Sequence, residues 1–125
     1  MYSNIPLEEG LEAYRITLEK RGDKSIPSDY ILKLLKLIME KNIFTFNEEY
    51  WLQILGTCMG TRVASTYANL FMGVLEKKIL DSCPPHLWQH VHLWKRYIDD
   101  ILILWTDSWE SFLEFFNYIN DSTEL

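Results

Sequence analysis

Apolar residues return at helical spacing from the start of the chain. Leu7, Leu11, Tyr14 and Leu18 fall three or four residues apart, which stacks them on one face of a helix. Pro6 suits its first turn, Glu8 and Glu9 favour the positive end of the helix dipole, and Gly22 lies just past the end. A second helix is expected from about Ser28, with Ile31, Leu34, Leu35 and Ile38 as its apolar stripe. The pattern then shortens: residues 43–46 and 50–55 read as two short strands around a turn at Asn47-Glu48. Residues 61–80 return to the longer period, with Val63, Tyr67, Leu70 and Val74 on one face and Ala64, Ala68, Phe71 and Leu75 beside them. Pro84-Pro85 mark a loop. Two apolar runs follow, one with Val91, Leu93 and Trp94 and one over residues 101–105, reading as an antiparallel hairpin. A last helix is expected from Asp107, with Glu110 closing a capping box and Trp109, Phe112, Leu113 and Phe116 buried. Helices combined with antiparallel hairpins make an α+β arrangement.

Composition narrows the classes. At 125 residues the chain is one domain at most, and its 48% hydrophobic content excludes a disordered tail. The net charge of −6 argues against autonomous nucleic-acid binding, which relies on a basic face, unless such surfaces lie elsewhere in a larger protein. Cys58 and Cys83 show no paired spacing, so a reduced, intracellular compartment is expected. No apolar run reaches the roughly 18 residues of a membrane span, and the N-terminus has no signal-peptide pattern. No membrane partner is expected.

Two stretches carry chemistry. Tyr97-Ile98-Asp99-Asp100 puts paired carboxylates at the tip of the apolar hairpin, where hard oxygens suit a divalent ion held against phosphate. Asp is also common in turns for its own backbone hydrogen bonds. The second stretch, from Gly56 through Gly60 into the helix, is a glycine-bearing loop whose helix start offers N–H groups to an anion. An ordinary loop and helix start fits the same residues.

Together the stretches resemble reverse transcriptases, most closely the Penelope-like retroelement group. That family has a Gly-Thr-Ala-Met-Gly-Thr segment, then Ala-Asn-Leu-Phe-Met, then Arg-Tyr-Ile-Asp-Asp. This chain has Gly56-Thr57-Cys58-Met59-Gly60-Thr61, then Ala68-Asn69-Leu70-Phe71-Met72, then Arg96-Tyr97-Ile98-Asp99-Asp100 at a similar distance. Phe44-Thr45-Phe46-Asn47, Tyr50 and Gln53 are similar to the lead-in, and Tyr2-Ser3-Asn4-Ile5-Pro6 to the tail of the first catalytic motif. Cys58 stands where the family has Ala, and Ser65 where many relatives have a Pro that shapes the nucleotide pocket.

The resemblance implies a polymerase palm whose hairpin carries Tyr-x-Asp-Asp packed on helices. It implies Asp99 and Asp100 as catalytic ligands of Mg2+ or Mn2+. It further implies Tyr2 (the aromatic gate against a ribose 2′-OH), Met59 and Gly60 at the nucleotide, and Gln53, Arg62, Lys95 and Arg96 along the nucleic acid. A solvated strand end fits Lys95 and Arg96 equally well. RNA template, DNA primer and deoxynucleotides would be the partners of the intact parent, and the nucleus the place of action of a retroelement enzyme. The family's first-motif Asp aligns four residues before Met1, so residues 1–125 are expected to be a partial reverse transcriptase domain. Fingers, later palm, thumb and the endonuclease domain often joined to such proteins would lie outside it. Such a fragment would be inactive alone and prone to self-associate through an open sheet edge.

Three further readings stand beside this one. A non-catalytic interaction module of the same fold would use the hairpin and Trp-rich surfaces to bind a partner. An unrelated metal-dependent phosphohydrolase would need another carboxylate or His cluster beside Asp99 and Asp100. Cys83, His86, His90 and His92 form a weak zinc candidate whose spacing fits no strong pattern.

Overall fold

The computed structural model describes residues 5–54, 56–57 and 60–123. Among them are five helices and two separate two-stranded antiparallel sheets, an α+β arrangement. The chain divides into two compact units, residues 1–71 and 72–125.

In the first unit, α1 (Leu7–Lys20) packs on α2 (Ser28–Glu40), with Lys36 Nζ 2.9 Å from Glu8 Oε1 across their surface. The stripe expected on α1 is only half-buried, because the closest packing runs along the small residues Gly10 and Ala13. On α2 the expected stripe is corrected: Leu35 and Met39 are buried, whereas Leu34 and Ile38 are exposed. Apolar residues occupy most sides of that helix, so periodicity alone does not select a face.

Strands β1 (Ile43–Phe46) and β2 (Glu49–Leu52) pair around Asn47 and Glu48. Both turn residues have positive φ, 51° and 64°, as a type I′ hairpin requires. β2 ends at Leu52, short of the expected residue 55, which lies outside the described residues. Every residue of this hairpin is exposed.

Helix α3 (Ala64–Asp81) starts three residues later than expected, because residues 61–63 form turns leading into it. Ala64, Tyr67, Ala68 and Phe71 are buried, so the two expected stripes merge into one. Tyr67 reaches back to α1, where its hydroxyl donates to the Leu7 carbonyl at 3.0 Å.

The second unit contains α4 (Pro85–Trp88), a single turn where a loop was expected. Proline fits a first helical position, since its missing N–H would have no partner there. Next come β3 (Val91–Tyr97), β4 (Asp100–Trp105) and α5 (Trp109–Ser122). The core is Cys83, Leu87 and Phe115, with Val91, Trp94, Ile103, Trp105, Tyr118 and Ile119 packed around it. Trp94 meets Phe115 edge-on at 6.3 Å, and Trp105 lies 4.9 Å from it.

Two expectations for α5 are corrected. The cap is Ser108, whose hydroxyl accepts from the Ser111 N–H at 3.2 Å, in place of an Asp107 and Glu110 box. Phe115 is the buried residue of this helix, while Trp109, Leu113 and Phe116 are exposed.

Candidate metal-binding hairpin

Alternation along β3 and β4 decides what surrounds the two carboxylates. Trp94 lies opposite Ile103 and Arg96 opposite Ile101, and these residues share the face turned to the helices. Lys95 lies opposite Leu102 and Tyr97 opposite Asp100, so both share the other face with Asp100. A register shift between Val91 and Leu93 leaves His92 as the extra residue, letting both Val91 and Trp94 pack on the core. The outer face is open, with Tyr97, Leu102 and Leu104 exposed.

Ile98 and Asp99 form the two-residue turn. Ile98 has φ 58°, and φ is not positive at Asp99, the signature of a type II′ turn. Glycine usually takes that first position, since a β-branched side chain in the left-handed region is strained by about 1–3 kcal/mol. The cost is offset locally. Arg96 Nη1 donates to the Ile98 carbonyl at 2.8 Å, and a hydrogen bond from a charged group contributes about 1.5–3 kcal/mol. Arg96 Nε in turn donates to Glu76 Oε2 at 3.0 Å.

Asp99 and Asp100 are both exposed at this tip. Mg2+ commonly takes one or two carboxylates and completes its shell with water and phosphate oxygens, so an exposed pair of hard donors fits such an ion. Among the described residues no group of three or more His, Cys, Asp or Glu gathers as a metal cluster.

The glycine loop belongs to the first unit. Gly56 and Gly60 have φ 75° and 90°. A Cβ on Gly60 would meet nothing within 4 Å, so backbone angle and not space calls for glycine there. Gln53 is engaged at both ends of its amide, accepting from Asn42 Nδ2 at 2.7 Å and donating to the Thr57 carbonyl at 3.2 Å. A cavity of about 370 Å3 has Ile5, Pro6, Leu7, Gln53, Ile54 and Gly56 in its wall, so the tail of the first resembling motif and the glycine loop meet. Arg62 is exposed before α3, whereas Tyr2 and Met59 lie outside the described residues.

Of the residues expected along nucleic acid, Lys95 is exposed on the face that carries Asp100. Arg96 lies on the opposite face, tied to Glu76 and the turn. Glu76 was not anticipated; its signal in the sequence is a lone acid between Met72 and Ile79 at helical spacing on an apolar stripe. Two of the three histidines engage different carboxylates: His86 Nε2 lies 3.3 Å from Glu114, and His90 Nε2 3.7 Å from Asp107. Cys83 is in the core, where burial pushes its thiol pKa up.

No helix among the described residues is long and apolar enough to cross a membrane. No protein-family model, curated protein or solved structure matches the chain.

Proposed function

We propose that this chain carries part of the palm of a reverse transcriptase of the Penelope-like retroelement type, a nucleotidyltransferase that copies RNA into DNA. The observation that carries the reading is the turn: a strained Ile98 presents Asp99 and Asp100 at the exposed tip of an apolar hairpin. Strain of this kind persists where surrounding structure overrides it, and it gathers at functional sites. In this reading Asp99 is the metal ligand, and Asp100, paired with Tyr97 at the strand end, supports the turn. Mg2+ or Mn2+, when bound, neutralises charge on the attacking 3′-oxygen and the triphosphate. Lys95, on the face of Asp100, serves the primer backbone, where a lysine acts as a point charge for phosphate. Gly60 lets the loop before α3 approach the incoming nucleotide. RNA template, DNA primer and deoxynucleotides are the partners, and the family's first-motif Asp is the carboxylate with which Asp99 works.

The test is primer extension on an RNA template with Mg2+ or Mn2+. Residues 1–125 alone are expected to be inactive, and the same chain joined to a strand that bears the family's first-motif Asp is expected to be active. Asp99→Ala is expected to reduce extension by more than about 100-fold, since even residues that merely support a metal ligand cost 10–100-fold. Extension that is unchanged in Asp99→Ala overturns the assignment.

A second reading, a non-catalytic interaction module of the same fold, is favoured by the open face of Tyr97, Leu102 and Leu104. It predicts partner binding that survives Asp99→Ala but fails in Leu102→Asp, measured by pull-down and analytical ultracentrifugation.

A further inference from the structure

Glu76 lies on α3 with its side chain 20% exposed, and both of its oxygens are taken by β3. Oε1 accepts from the Trp94 indole N–H, and Oε2 accepts from Arg96 Nε at 3.0 Å. The Arg96 side chain, 15% exposed, also donates from Nη1 to the Ile98 carbonyl at 2.8 Å. The surroundings are apolar, with Leu75, Ile79, Ile101 and Ile119 lining the same small pocket. A shielded ion pair loses to desolvation much of what it gains by attraction, and well-packed apolar side chains often stabilise as well. Stability alone therefore gives little reason for this pair. What apolar residues would not provide is a grip on a carbonyl.

The gripped carbonyl is the central one of the turn. Type I′ and type II′ turns differ by rotation of that peptide: φ is positive at both central residues in one and only at the first in the other. The turn here has positive φ at Ile98 alone. Because the peptide is planar and trans, holding the Ile98 C=O on the Arg96 side directs the Asp99 N–H to the opposite side. We infer that Glu76 and Arg96 are positioning residues for Asp99. Glu76 orients the guanidinium, the guanidinium fixes the central peptide of the turn, and the peptide sets the direction in which the Asp99 carboxylate leaves the hairpin. This inference rests on the reading of Asp99 as a metal ligand.

The experiment uses the full chain labelled with 15N and Mn2+ alone as the paramagnetic probe. The HN–Hα coupling of Asp99 reports on the central peptide, and that of Ile98 is the reference that a peptide rotation leaves in place. In the wild type, Mn2+ is expected to broaden the amide signals of Asp99 and Asp100 first, and Asp99→Asn to remove that effect. Arg96→Met keeps the apolar stem but has no donor. It should need about tenfold more Mn2+ for equal broadening and should change the Asp99 coupling, while the Ile98 coupling holds and the spectrum stays dispersed. Arg96→Lys, which keeps a donor, should recover part of the loss. Should Arg96→Met fail to fold, the near-isosteric Glu76→Gln carries the same test. An unchanged Asp99 coupling and Mn2+ dependence in a folded variant, with Asp99→Asn still losing the effect, overturn the positioning role and leave the metal-ligand reading standing. Broadening that is the same in Asp99→Asn and the wild type overturns the metal-ligand reading and the positioning role with it.

Discussion

Gly10 of α1 lies directly against Tyr67 of α3, and a methyl group built on Gly10 would overlap the phenol ring and its hydroxyl. The hydroxyl is held there by its hydrogen bond to Leu7, and the ring stacks on Tyr14 at 5.9 Å. Gly10→Ala therefore meets two opposing effects. Alanine favours the helix by about 1 kcal/mol, whereas overpacking a fixed aromatic ring costs about 1–3 kcal/mol. With Tyr67 tied on two sides, overpacking wins, and urea unfolding should show net destabilisation. Tyr67→Phe should lose about 1 kcal/mol with its hydrogen bond.

Ile98 makes the opposite case. Its φ of 58° suits glycine, so Ile98→Gly should release backbone strain of about 1–3 kcal/mol against an entropic cost of up to about 1 kcal/mol. A net gain of about 1 kcal/mol, seen as a raised thermal midpoint, is expected. Ile98→Val keeps the β-branch and should bring no such gain. Equal midpoints for glycine and valine would show that the turn is not strained.

The hairpins were the most legible part of the sequence. Residues 43–46 and the strands flanking Asp99 stand out because short β-branched and aromatic runs are bounded by turn residues. The faces of α2 and α5 were not legible, because Leu34, Leu35, Leu37 and Ile38, or Phe112, Leu113, Phe115 and Phe116, supply more apolar surface than one stripe can bury. At the candidate site, Asp99 and Asp100 were visible as a motif, but the turn's backbone was not, since isoleucine gives no hint of positive φ. The Glu76 and Arg96 pair joins residues 20 apart on a helix and a strand. The side of the hairpin on which Arg96 falls depends on register, and the shift at His92 moves parity by one residue.

The face of α5 can be tested by truncating neighbours. Phe115 is 0% exposed between Trp94 and Trp105, so Phe115→Ala leaves a cavity and should destabilise by about 3–5 kcal/mol. Phe116, 48% exposed, should cost less than about 1 kcal/mol when truncated. Urea midpoints of the two variants decide between the structural face and the one periodicity favoured. Comparable losses would place both rings in the core.

Asp107 ties the start of α5 to pH. Its carboxyl is held below the ordinary value of 3.8, first by the Ser108 backbone N–H, then by the Ser111 hydroxyl, with a smaller effect from His90. A group that is more acidic in the folded state binds fewer protons there than in the unfolded chain. Its stabilising contribution is therefore complete above the unfolded pKa and is lost as pH falls through the folded one. The window lies below about pH 4. In Asp107→Asn the stability of the chain should depend less steeply on pH across that window, while its slope above pH 5 stays near that of the wild type. A slope below pH 4 that is the same in both proteins would mean that Asp107 gains nothing from Ser108 and Ser111 on folding.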